Sequence, residues 1–227
     1  ISYTPTGQRA SITDGHGTTT QSFDERDRLI SRTDSANRTL EYGYDASGNL
    51  LSRITANQST VYAFDARNRL IQLVATVAAS PARTTAYAYD LLGNRKTQIT
   101  GDGTKTEYIY DSRNHLRNLI QRTATTAMLF SAAYTVDASG MRGAIAEADS
   151  NGPTRTVSYE YDALKRLIRE TIDHTTDAKD RDSVWTYDAV GNRLTQTITS
   201  NSAIKSTAYQ YDNNDRLSQE NATPGGA

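Results

Sequence analysis

No cysteine occurs in the 227 residues, which excludes a disulfide framework and a cysteine-ligated zinc site. Proline is scarce, with four residues, and neither sign of charge dominates: 25 basic side chains face 26 acidic ones, for a net charge of −1. Nothing global therefore draws the chain toward nucleic acid or an anionic membrane. Long apolar runs are missing too. The best, residues 73–79, is seven residues of mostly small side chains, far below the roughly 18 to 20 needed for a membrane-spanning helix. Residues 1–10 lack the charged-then-apolar order of a signal peptide, so the sequence reads as an internal or processed piece. Leu, Ile, Val and Phe together number 38, about 17% of the chain, beneath the roughly 20% associated with disorder when net charge is also high. Net charge is not high, and 14 tyrosines make up the apolar deficit.

Those tyrosines fall in register. An aromatic followed by Asp recurs at Phe23, Tyr44, Phe64, Tyr89, Tyr110, Tyr161, Tyr187 and Tyr211, with weaker copies at Tyr3 and Val136. Successive anchors stand 20, 21, 20, 25, 21, 26, 25, 26 and 24 residues apart, giving ten copies across the whole chain. Two residues before an anchor stand Tyr42, Tyr62, Tyr87, Tyr108, Tyr134, Tyr159, Trp185 and Tyr209. A spacing of two puts both rings on one face of a β-strand, whereas on a helix they diverge. Each copy is thus expected to be a β-hairpin, and residues 1–227 a single all-β ribbon of about ten antiparallel hairpins.

After the anchor, Asp45, Asp90, Asp111, Asp162, Asp188 and Asp212 head a tight turn, their carboxylates placed to accept backbone N–H groups further on. Four residues after the anchor the copies alternate. Odd copies carry Gly7, Gly48, Gly93, Gly140 and Gly191, three of them followed by Asn49, Asn94 and Asn192. Even copies carry Asp27, Asn68, Asn114, Lys165 and Asp215, followed by Arg28, Arg69, His115, Arg166 and Arg216. Gly, Asn and Asp tolerate the positive φ that closes such a turn. The alternation implies a two-hairpin unit of 41 to 51 residues, one turn of each pair being tighter where the sheet curves. Residues 14–17 and 101–103 suit short connections at the opposite rim, and 149–154 and 173–183 suit longer ones.

At these residues, notably 42–50, 87–95 and 187–194, the chain resembles the RHS/YD-repeat family of bacterial polymorphic toxins, insecticidal toxin complexes and teneurins. The resemblance implies a β-hairpin ribbon spiralling into a hollow shell, which in the toxins encloses a C-terminal toxin domain. The family's self-cleaving plug has no match, so neither autoproteolysis nor toxin activity carries over. Ten hairpins at about 4.8 Å per strand advance roughly 96 Å. Closed into one ring that is only about 30 Å across (same spacing), which points to a segment of wall.

The recurring polar residues are read as structural. Rings present in every copy form ladders worth roughly 0.2 to 1 kcal/mol per pair, while a stacking site for sugars would be local. Asp65 with Arg69 and Asp162 with Arg166 read as turn caps with solvated ion pairs rather than acid/base dyads, since the pairing repeats. His16 and His115 are isolated, and His174 among Asp173, Asp177, Asp180 and Asp182 matches neither an EF-hand nor a zinc signature. The Asn37, Asn57 and Asn221 sequons are expected by chance in a Thr-rich chain. No nucleotide fingerprint or nucleophile elbow occurs. The expectation is a non-enzymatic wall segment, without cofactor or metal, in a large secreted or cell-surface protein. Its partners would be flanking repeats or an enclosed domain, with edge-to-edge self-association at unpaired terminal strands. The alternative is a glycan-binding or adhesion surface on the same ribbon.

Overall fold

Ring-bearing and polar positions alternate along the chain and are interrupted by Asp- or Thr-led turns, and this pattern folds as strands. In a computed structural model describing residues 1–150, 152, 154–175, 180–200 and 202–223, twenty strands and no helix occur among the described residues. The chain divides into two compact units, Ile1–Lys105 and Thr106–Ala227.

The first unit holds β1 (Ser2–Tyr3), β2 (Arg9–Asp14), β3 (Gly17–Phe23), β4 (Leu29–Thr33), β5 (Thr39–Tyr44), β6 (Leu50–Ile54), β7 (Gln58–Phe64), β8 (Leu70–Val77), β9 (Arg83–Tyr89) and β10 (Arg95–Ile99). Each pairs antiparallel with the strand before and the strand after it, in nine consecutive ladders. The second unit takes in β11 (Lys105–Tyr110) from its second residue, then β12 (Leu116–Arg122), β13 (Met128–Val136), β14 (Arg142–Asp149), β15 (Arg155–Tyr161), β16 (Leu167–His174), β17 (Arg181–Tyr187), β18 (Arg193–Ser200), β19 (Ala203–Tyr211) and β20 (Leu217–Thr223). From β12 to β20 it follows the same neighbour-to-neighbour rule. Asp173, His174, Asp182 and Ser183 belong to strands, so that connection is shorter than the sequence suggested.

One irregularity recurs at the anchor turns. Phe23 stands opposite Leu29 while Ser22 stands opposite Ser31, which leaves Ile30 as an extra residue. The same skip falls at Leu51, Ile71, Ile168 and Leu194. A bulge at a fixed place in successive hairpins bends the strand and adds right-handed twist. It also explains why two apolar residues stand side by side here, against the alternation elsewhere.

Residues directly opposite one another share a face of the sheet, so the register sets what neighbours each ring. Tyr42 faces Arg53, Tyr62 faces Leu73, Tyr87 faces Gln98, and Tyr134 faces Ile145. Tyr159 faces Glu170, Trp185 faces Gln196 and Tyr209 faces Glu220. Each hairpin supplies rings on one strand only, so an intervening strand of aliphatic or polar residues separates successive rings. The buried residues among those described lie in the second unit: Ile145, Tyr209, and a row four residues before successive anchors formed by Thr106, Ala132, Val157, Ser183 and Thr207. The accessible surface is 14767 Å², against about 10,000 Å² expected for a compact monomer of this mass. Within each unit the described strands pack only edge to edge with their neighbours, so burial contributes less than in a two-layer domain.

The odd-turn glycines sit at φ from 87° to 105°, whereas Asp27, Asn68, Asn114, Lys165 and Asp215 sit between 58° and 71°. The latter is the ordinary left-handed region and the former lies beyond it. Alternation in the sequence therefore records two variants of one turn. Gly191, at φ 105°, has nothing within 4 Å of an added Cβ, so its requirement is purely conformational. Gly191→Ala should cost about 1 to 2 kcal/mol in chemical denaturation. Gly15→Ala, in a turn without positive φ, should be neutral to slightly stabilising; equal losses at both would contradict this reading.

Candidate functional site

The densest polar chemistry lies along the rim formed by the anchor turns. In each, the N–H four residues after the anchor donates to the Asp carbonyl, and the Asp N–H donates to the carbonyl one residue further. Examples are Asp27 to Asp24 at 3.0 Å with Asp24 to Arg28 at 3.0 Å, and Gly48 to Asp45 at 3.1 Å with Asp45 to Asn49 at 3.0 Å. Inside this loop the carboxylate does two jobs. Asp65 Oδ1 accepts the N–H groups of Arg67 and Arg69 at 2.9 and 3.0 Å, while Oδ2 accepts Arg69 Nε at 2.8 Å. Asp162 is held the same way by Leu164 and Arg166, and Asp212 by Asn214 and Arg216. In odd copies an amide replaces the guanidinium: Asn49, Asn94 and Asn192 donate Nδ2 to Asp45, Asp90 and Asp188 at 2.8, 2.9 and 3.0 Å.

These bonds lower the carboxylate pKa values. For Asp24, Asp111 and Asp162 the backbone N–H five residues after the anchor is the leading cause, and for Asp45 and Asp90 it is the Asn side chain. Asp188 feels burial first, pushing upward, and its hydrogen bonds from Asn192, Gly191 and Val190 outweigh that.

Even turns also grip the next hairpin. Arg28 lies 4.6 Å over the Tyr44 ring and donates Nη1 to Asp45 O at 3.0 Å, while Tyr44 Oη donates back to Leu29 O at 3.0 Å. Arg69 with Tyr89 and Asp90 repeats this, with ring contact at 4.6 Å and Oη to Leu70 O at 2.7 Å. Arg166 with Tyr187 and Asp188 does so at 4.9 Å, with Nη1 to Asp188 O at 2.8 Å and Oη to Leu167 O at 2.7 Å. Odd turns reach forward with short side chains, as from Thr6 to Asp27, and from Asn49 to Asn68 and Asn192 to Asp215, the last two at 2.8 Å. Where His115 replaces Arg, its Nδ1 lies 3.2 Å from Asp111, and Arg113 donates to Ala138 O at 2.9 Å.

The sequence-selected residues thus fall into two series. Tyr44, Tyr89, Tyr110, Tyr161, Tyr187 and Tyr211 stand half-buried where their strands enter the turns. Tyr211 Oη donates to Arg193 O at 3.1 Å. The pre-anchor rings stand one step further in: Arg95 covers Tyr87 at 5.4 Å, Arg142 covers Tyr134 at 4.8 Å and Arg193 covers Tyr209 at 4.4 Å. Tyr42, Tyr62, Tyr108, Tyr159 and Trp185 are half-buried, and burial, with the Glu170 carboxylate beside it, pushes the Tyr159 phenol upward. Sequence reading missed the far-rim copy led by Asp34, where Asn37 takes φ 58° and Arg38 Nε bonds Asp34 at 2.7 Å. The spacing of Asp34, Asn37 and Arg38 matches that of Asp65, Asn68 and Arg69, but no aromatic precedes it. Thr100 and Thr123 head the same loop with hydroxyls in place of carboxylates.

Elsewhere the polar groups do not converge. His174 Nδ1 is 3.6 Å from Asp180, whose carboxylate accepts the His174 N–H at 2.7 Å; Asp177 lies outside the described residues. Among the described residues no three His, Asp or Glu side chains are placed to hold a metal ion, and no helix is long and apolar enough to cross a membrane. A groove of about 500 Å³ runs past Glu160, Arg169, Asp182 and Trp185. Its Arg169 is already bonded to Asp182 through Nε and Nη2 at 2.9 and 3.1 Å.

Residues 23–60 and 44–80 match the RHS Repeat family model. No curated protein matches the chain. Among solved structures, TcdB2-TccC3-TEV superposes with TM-score 0.77 at 19% identity, over 93% of this chain and 13% of that one. TcdB2-TccC3-Cdc42 follows at TM-score 0.44 and 14% identity, over 96% and 16% of the two chains. The Photorhabdus luminescens Tc holotoxin pore follows at 0.42 and 12%, over 96% and 15%. The first of these establishes the fold: an antiparallel β-hairpin ribbon of the kind present in that toxin complex. Residues 23–80 thus match the RHS repeat, and the Tyr-Asp turns continue the same pattern along the rest of the chain.

Two outcomes follow from the rim. Because the turn carboxylates titrate lower in the folded state, their contribution is present above the ordinary value of 3.8 and lost as pH falls through the lowered values. The thermal midpoint should be level between about pH 5 and 8 and drop below about pH 4; a midpoint still level at pH 2 would contradict it. Asp188→Ala should lower that midpoint at neutral pH and flatten the acid response. In a double-mutant cycle, Arg166→Ala and Tyr187→Leu should couple by about 0.5 to 1 kcal/mol, whereas independent losses would remove the latch.

Proposed function

We propose that residues 1–227 form one structural segment of an RHS/YD-repeat shell that encloses or scaffolds a toxin or partner domain in a large secreted or cell-surface protein. The supporting observation is the latch itself. The same bonded turn recurs along the chain and clips to its neighbour, which suits a wall and leaves no single place set apart for catalysis. The segment's size agrees: it covers 13% of the TcdB2-TccC3-TEV chain, so it would supply a fraction of a wall. In this role the protein is not an enzyme. Its work is mechanical, holding a continuous hydrogen-bonded sheet between a partner and the surrounding proteases. A glycan-binding surface gains little support, because the cation in the Trp185 groove is engaged by Asp182.

Limited proteolysis of the natural protein containing this segment tests the proposal. A flanking domain should be protected while the ribbon is intact and become cleavable once a protease site is opened at the exposed Leu164 turn. Equal digestion before and after opening would overturn the enclosing role, and a saturable glycan-array signal from the segment would favour the adhesion reading.

A further inference from the structure

The tyrosine face of the first unit carries an uncompensated row of cations. By register, Arg32 stands opposite Gln21 and Leu40, Arg53 opposite Tyr42 and Thr60, and Arg83 opposite Ala75, all on the face of the rings. All three are exposed, and none of their side chains makes a hydrogen bond, ion pair or ring contact among the described residues. On that face the strands of the unit carry one carboxylate, Asp14, at the far rim, where it accepts the His16 N–H at 2.8 Å. Glu41, the strands' other carboxylate, is in register with Ser31 on the opposite face.

The second unit shows what this arrangement lacks. On its tyrosine face Arg155 is bonded to Glu147, and Arg181 Nη2 lies 2.8 Å from Glu170. Two cations on the ring-bearing face of the second unit are thus neutralised by carboxylates, with Lys205 left unpaired there, whereas Arg32, Arg53 and Arg83 of the first unit have no carboxylate partner among the described residues. Arg53 and Arg83 share a row three strands apart, about 14 Å, and Arg32 lies one row and two strands away, roughly 12 Å from Arg53. That spread exceeds the separation of neighbouring phosphates on a nucleic-acid strand, and the half-buried rings between them offer limited stacking area. It suits side chains scattered along a polypeptide, and a guanidinium fork matches a carboxylate.

We propose that the tyrosine face of the first unit is a docking surface for an acidic polypeptide segment whose Asp and Glu side chains pair with Arg32, Arg53 and Arg83. The partner of the wall proposed above is where such a segment would reside. The surface itself rests on the face alone, so its test and the proteolysis test can fail separately.

Fluorescence anisotropy with a labelled glutamate-rich peptide, titrated with the full chain at low salt, reads the surface directly. Saturable binding is expected, weakened about tenfold or more by combined Arg32→Gln, Arg53→Gln and Arg83→Gln and by physiological salt. Glu41→Gln should leave it within about twofold, since that side chain is on the other face. Circular dichroism checks the triple variant's fold, and Arg53→Gln alone, expected to weaken binding severalfold, serves if the triple variant does not fold. Absence of saturable peptide binding, an unchanged affinity in a folded arginine variant, or tighter binding of a labelled oligothymidine would each overturn the proposal.

Discussion

The structure depends on closing a short loop with one residue at positive φ, four positions after each anchor. Closure there lets the Asp N–H and carbonyl complete the loop while its carboxylate occupies the interior. This places the following arginine or asparagine against the Asp and, in even copies, aims the arginine at the next hairpin. Remove the residue at positive φ and the carboxylate, the guanidinium and the neighbouring ring lose their common geometry together. The rim is therefore a chain of linked constraints, and the strands between rims follow from it.

Such an arrangement suits a molecule with little core. Seven residues are buried among those described, all in the second unit. Stability must then come from repeated local terms: ladder hydrogen bonds, capped turns, and arginine–tyrosine contacts of about 0.5 to 1 kcal/mol each. In a linear array such terms act between neighbours, which explains why the two turn variants matter. Even turns bind forward through a turn guanidinium laid on the next anchor ring, and odd turns through a short amide or hydroxyl side chain, so neighbouring junctions are unequal.

Much of this was legible in the order of residues. Rings two apart before Asp specified strands and a shared face, and Gly alternating with Asn, Asp or Lys marked the loop and its two forms. The far-rim turn at Asp34 has no aromatic before it and so lies outside the Tyr-Asp register, its chemistry residing in Asp34, Asn37 and Arg38. Bulges were hidden in doublets such as Leu29-Ile30 and Leu70-Ile71, which look like plain apolar strand starts. The reach of Arg166 to Asp188 could not be read locally, because the connection between them varies in length while the spatial step between hairpins does not. For the same reason the rings were expected to meet across strands, whereas arginine covers several of them. The bare arginines of the first unit emerge only when the register assigns each to a face.

Amide hydrogen exchange at the anchor turns measures the central constraint most directly. If the loops are closed as described, the amides of Asp65, Asn68, Asp188 and Gly191 should exchange about a hundredfold or more slower than in an unstructured chain, approaching the neighbouring strand amides. Near-intrinsic exchange at those four positions, with the strands still protected, would show that the turns do not organise the ribbon.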